Sequence, residues 1–201
     1  MKNISIFISG RGSNLKSILD KWKSGYFKCS IPFILSSNDK AYGVIIAKKF
    51  WIDVQIIDPK LEKSKDEFEH KIIDLLKKHN IDLIVLAGFM VVLSKNFFKN
   101  YKGDIINIHP SLLPAFPGLN SQKRAYEYGV KVSGCTVHYV TEEIDGGPII
   151  IQDAVVCKDS DSVDTLTSRI LRKEHTILPK AIKLILEGKI VRDGRRILIN
   201  E

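Results

Sequence analysis

Ile4-Ser5-Ile6-Phe7-Ile8-Ser9-Gly10-Arg11-Gly12-Ser13-Asn14 is the stretch that decides the fold. Ile4 to Ser9 is a short apolar run and reads as a buried strand. Gly10 to Asn14 reads as a turn, and Leu15 to Lys23 as a helix. Working outward, the same alternation continues. Strands are predicted at Ile31–Leu35, Val54–Ile57, Asp82–Ala87 and Asp104–Ile108, and helices at Tyr42–Phe50 and Asp66–His79. In the latter, Phe68, Ile72, Ile73, Leu75 and Leu76 have helical spacing. Another helix begins at Ser94, a fitting N-cap. Strands alternating with helices predict an α/β fold: a Rossmann-like, mostly parallel twisted sheet with helices on both faces.

The last third changes character. Gly134–Val140 alternates, with Cys135, Val137 and Tyr139 on one face and Thr136, His138 and Val140 on the other. Ile149–Val156 follows a Gly-Gly-Pro turn, so an antiparallel addition to the sheet is expected. Ser162–Leu186 is a long helical stretch in which Pro179 should produce a kink or a restart. Ile190–Ile199 reads as a terminal hairpin turning at Asp193-Gly194. With no internal repeat or linker, residues 1–201 are expected to form a single domain.

Composition narrows the function classes. The chain is 44% hydrophobic and carries a net charge of +8, enough to bury a substantial core and to favour anionic partners. Lysines such as Lys71, Lys77 and Lys78 fall in helical stretches as an ordinary polar face, and no nucleic-acid-binding motif is present. No apolar run is long enough to span a membrane, and no signal peptide is evident. Cys29, Cys135 and Cys157 are widely spaced and odd in number, which fits a reducing cytoplasm. No CxxC or HxxxH spacing points to a metal.

Three segments carry chemistry. Gly10–Asn14 joins a strand to a helix, which places backbone N–H groups and a positive helix end at the carboxyl edge of the sheet. Leu15 occupies the third glycine position of a dinucleotide fingerprint and no Walker lysine follows, so a small monophosphate fits; a plain tight turn fits equally. Asn107-Ile108-His109-Pro110-Ser111-Leu112-Leu113-Pro114 ends a strand with an amide and an imidazole on one side. That pair suits acyl transfer, the amide donating to a developing oxyanion and the imidazole handling a proton. Asp145 precedes Gly146-Gly147-Pro148; a carboxylate near His109 would orient it and favour its charged form, although a solvated acidic turn has the same sequence. No serine or cysteine nucleophile signature is present, so direct transfer is the simpler chemistry.

Together these motifs resemble the phosphoribosylglycinamide formyltransferases, the folate-dependent glycinamide ribonucleotide transformylases. The resemblance rests on Ile8–Leu15, Val85-Leu86-Ala87-Gly88-Phe89-Met90, Ile106–Pro114 with Pro117-Gly118, and Asp145-Gly146-Gly147-Pro148, and covers essentially the whole chain. It implies transfer of formyl from 10-formyltetrahydrofolate, as co-substrate and without metal, to the amine of glycinamide ribonucleotide. It implies that Gly12, Ser13 and Asn14 hold the phosphate and that Glu174 touches the glycinamide end. Lys65, Met90, Val91, Val92, Leu93 and Asn107 would contact the folate, and Asn107, His109 and Asp145 would form the catalytic trio. A cytoplasmic monomer or homodimer is expected, with no nucleic-acid or membrane partner. Lys65 stands where the family usually has arginine, losing a bidentate fork. Asn120 stands where relatives often have histidine. Formyltetrahydrofolate hydrolase and methionyl-tRNA formyltransferase are the neighbouring readings, each expected to need a further domain; a nucleotide-binding module would leave the trio without a purpose.

Overall fold

The computed structural model describes residues 1–200. In chain order the elements are β1 (Ile4–Ile8), α1 (Ser13–Lys23), β2 (Ile34–Ser36), α2 (Tyr42–Lys49), β3 (Val54–Ile56), α3 (Lys65–Lys78), β4 (Leu83–Leu86), α4 (Lys95–Asn100), β5 (Asp104–His109), α5 (Ser121–Tyr128), β6 (Val132–Tyr139), β7 (Ile149–Val156), α6 (Val163–Leu186), β8 (Ile190–Asp193) and β9 (Arg196–Ile199). The first seven strands follow the order β3-β2-β1-β4-β5-β6-β7, and β8 and β9 form a separate pair. The chain folds as two compact units, Met1–Ile106 and Asn107–Glu201.

In the first unit β1 pairs in parallel with both β2 and β4, and β2 with β3. Every residue of β1 and β4 is buried, as a parallel sheet covered on both faces requires. α1 packs against α2 and α3 against α4. Strand order reverses between β1 and β4. That is the switch point beyond whose carboxyl ends open α/β sheets bind ligands. The segments leaving those two ends begin at Ser9 and Ala87. β2 starts three residues later than its apolar run, because Pro32 has no N–H to give a ladder.

In the second unit β6 and β7 pair antiparallel from Val132↔Val156 to His138↔Ile149, as expected. Seven of the eight β6 residues are buried, so its alternation separates two covered faces rather than core from solvent. α6 is capped by a reciprocal Ser162–Thr165 box and runs unbroken for 24 residues through Pro179. The expected restart is absent. Leu166, Ile170, Ile177, Leu178, Ala181 and Ile182 on both sides of the proline are buried, and α6 packs on β6 and β7. Burial along that continuous stripe outweighs one missing helix hydrogen bond.

Candidate functional site

The switch-point crevice of the first unit is built largely from backbone. Gly12 caps α1 with left-handed backbone (φ 72°) and offers no capping side chain, and the first turn of α1 has no acidic residue. The helix end therefore presents its positive pole next to Arg11 and Ser13. Gly12 has a packing reason as well: a Cβ there would lie 2.6 Å from the Cα of Gly43. Asn14 is buried. Beyond β4, the segment Met90–Leu93 has neither helix nor strand. Met90 is 68% and Val92 56% exposed, whereas Leu93 is buried. Plain core packing thus accounts for Leu93 and not for its two exposed neighbours. The Ser9 N–H donates to Gly88 C=O at 3.1 Å, and Met90 N–H donates to Ser9 Oγ at 2.9 Å. The two segments leaving β1 and β4 are thereby joined. Lys65 is exposed in the first turn of α3, behind the Ser64 cap.

The second unit gathers ionisable side chains. His109, at the end of β5, is 5% exposed. Its Nε2–H donates to the Phe116 carbonyl at 2.9 Å, and its Nδ1 lies 3.3 Å from Asp145 Oδ2. Both ring nitrogens thus face oxygen acceptors, an arrangement that an imidazolium satisfies completely. Asp145 Oδ2 also accepts the Gly118 N–H at 2.7 Å. Asp145 has φ 51°, a left-handed backbone uncommon for a residue with a side chain and concentrated at functional sites. The turn behind it is tight: Tyr139 N–H donates to Pro148 C=O at 2.9 Å, and a Cβ on Gly147 would lie 1.8 Å from the Tyr139 carbonyl oxygen. The loop after β5 is fixed by side chains from β6 and β7. Thr136 Oγ1 donates to Ser111 C=O at 2.7 Å and accepts the Leu113 N–H at 3.1 Å. Gln152 Nε2 donates to Leu113 C=O at 2.9 Å. The Leu113-Pro114 peptide is cis.

His138 completes the network. Its Nδ1–H donates to the Tyr139 carbonyl at 2.9 Å, which leaves Nε2 as an acceptor 3.3 Å from Asn107 Nδ2. Burial holds its pKa below the ordinary 6.5, aided by His109 and opposed by the Tyr139 carbonyl and Asp145. A neutral ring in this tautomer turns the donor end of the Asn107 amide, rather than its oxygen, into the cluster. Asp145 Oδ1 lies 3.7 Å from His138 Nε2. Asp145 also lines a cavity of about 250 Å³ with Leu113, Pro114, Pro117, Ile149 and Arg195. Cys135 is no nucleophile, since burial pushes its thiol up to about 12.

The formyl transferase family model matches residues 2–182. Phosphoribosylglycinamide formyltransferase of Bacillus subtilis is 40% identical across 92% of this chain and 95% of its own length. The chain belongs to the phosphoribosylglycinamide formyltransferase family. A solved glycinamide ribonucleotide transformylase 1 from Symbiobacterium toebii, 42% identical, superposes with a TM-score of 0.96 over 100% of this chain and 95% of that one. The human trifunctional purine biosynthetic protein adenosine-3 is also 40% identical over 93% of this chain. The chain spans only 18% of that protein's length.

Within this family frame, the structure brings Asn107, His109 and Asp145 into one network in the second unit. Gly12, Ser13 and Asn14 follow β1 and Met90–Leu93 follows β4, the two strands of the switch point in the first. Glu174 is buried on α6 rather than an exposed helix charge, and with Asp153 it helps raise the Cys135 thiol. The alternation of Gly134–Val140 puts His138 on a strand, where it lies in β6, but assigns it no role. The available signal was its position two residues beyond Thr136, on the same face.

Proposed function

We propose that this chain transfers the formyl group of 10-formyltetrahydrofolate to the amine of glycinamide ribonucleotide, in the cytoplasm and as a monomer or homodimer. The observation that carries this reading is Asp145 bound to His109 while His138 orients Asn107. Gly12, Ser13 and Asn14 hold the ribonucleotide phosphate at the positive end of α1. Met90, Val91, Val92 and Leu93 line the folate site, with Lys65 near its anionic tail and Glu174 at the glycinamide end.

The neutral amine attacks the formyl carbon and the carbonyl π electrons move to oxygen. One Asn107 N–H is engaged by His138 and the other is available to that oxyanion. His109 keeps its Nδ1 on Asp145, so its Nε2–H is the proton that exchanges the Phe116 carbonyl for the oxyanion. The attacking nitrogen then loses its proton and the leaving folate nitrogen gains one through water. The carbon–nitrogen bond to folate breaks as the carbonyl re-forms. Holding both substrates together supplies much of the remaining acceleration. This chemistry requires no metal.

The test follows the absorbance of the folate with and without the ribonucleotide. Formyl transfer that requires the ribonucleotide is expected; ribonucleotide-independent release of formate would make the chain a hydrolase instead. His109→Ala and Asp145→Asn should each lower kcat on the order of 10³-fold while folding normally. Near-wild-type kcat in both would refute the assignment.

A further inference from the structure

Glu69, on α3, is 2% exposed and takes no part in the chemistry above. Its Oε1 accepts the Ser94 N–H at 2.7 Å, and its other oxygen takes the Ser94 hydroxyl. Burying a carboxylate is costly unless its bonds repay the lost hydration. α4 does not need Glu69 for its cap, because Ser94 Oγ itself accepts the Phe97 N–H. Glu69 grips the Ser94 amide instead, which is the backbone emerging from Leu93.

The opposite end of the same segment is held in a similar way. Met90 N–H donates to Ser9 Oγ at 2.9 Å, and Ser9 Oγ lies 2.6 Å from Ser37 Oγ. Ser9 is the last residue before the Gly10–Asn14 turn. Between the two anchors the chain has no helix or strand, and Met90 and Val92 face outward. Two polar anchors placed at the ends of a short exposed stretch fix the path of that stretch.

We propose that Ser9 and Glu69 are positioning residues for the formyl-folate, clamping Met90–Leu93 at both ends so that its backbone is preset to receive the pterin. This rests on the reading of Met90–Leu93 as the folate-lining segment. The clamp acts by removing the ordering cost of that segment on binding. Its loss therefore appears in the affinity for one substrate.

The test is steady-state kinetics on Glu69→Gln and Ser9→Ala, with Ser9→Thr as the rescue. Both disrupting variants should raise KM for 10-formyltetrahydrofolate by about tenfold, the factor a lost charge-assisted hydrogen bond is worth. The ribonucleotide KM and saturated kcat should stay within about twofold of wild type, and Ser9→Thr should return the folate KM towards normal. Folate KM unchanged in whichever of the two variants folds, or both KM values rising together, would overturn the proposal. Amide chemical shifts of wild-type Met90–Leu93 during titration with 10-formyltetrahydrofolate separate the two readings. Shifts at these amides with normal variants would sink only the clamp. Unmoved amides would remove the folate reading and the clamp with it.

Discussion

The two units present different materials at their candidate sites. The first faces its crevice with main-chain amides, a helix end, serine hydroxyls and two exposed aliphatic residues. The second gathers two buried imidazoles with a half-buried carboxylate and a half-buried amide, joined in one network. The contrast fits the tasks proposed for the two units. Holding a phosphate or a pterin calls for fixed dipoles that do not change with pH. Stabilising a transient oxyanion and moving a proton calls for groups that can carry charge, locked in one geometry. Damage to the first unit should therefore appear in KM, and damage to the second in kcat.

The sharpest way to break this division is Asn107→Ala. Its kcat should fall about 100-fold, the usual loss for one oxyanion donor, with both KM values within a few-fold of wild type. A loss confined to folate KM would place Asn107 with the binding surface instead. Gly12→Ala comes next. Its left-handed φ of 72° and the 2.6 Å approach to Gly43 Cα should cost about 1–3 kcal/mol. Calorimetry should then show Tm lower by roughly 2–10 °C, and the ribonucleotide KM should rise while saturated kcat holds.

The smallest effect concerns pH. Burial holds His138 below 6.5, so between its lowered value and 6.5 the unfolded chain binds more protons than the folded one. Stability from this group is complete above 6.5 and declines as pH falls towards the folded value. His138→Gln keeps an acceptor for Asn107 and removes that titration. Its Tm should drop less than the wild-type Tm between about pH 7 and about pH 5; equal slopes in thermal melts would show that His138 does not carry the acid sensitivity.

Much of this architecture was legible from residues. The alternation of strands and helices, the parallel sheet, the antiparallel β6–β7 pair and the β8–β9 hairpin follow from periodicity and turn residues. The β7 bounds match residue for residue. α5 was missed because Ser121–Tyr128 has only Ser121 and Ala125 buried, too few apolar positions to print a helical period. Gly129, its left-handed C-cap, was the readable sign. The trio was visible because proline and glycine punctuation singled out its neighbourhood. The partners of those groups were not. Ser9 to Met90 spans 81 positions and Glu69 to Ser94 spans 25, and no local pattern encodes contacts made at that range. At the α6 proline the helix continues without a restart, its local cost outweighed by distant packing.

Gly147 leaves the smallest margin in the molecule. A β-carbon on Gly147 would lie 1.8 Å from the Tyr139 carbonyl oxygen, so every one of the nineteen alternatives collides with main chain rather than with a side chain that could swing aside. A saturation library at this codon would return essentially one viable genotype. Laboratory evolution aimed at a new acceptor would thus have to work through the walls of the cleft, because this position of the acidic turn has no neighbouring sequence to move into.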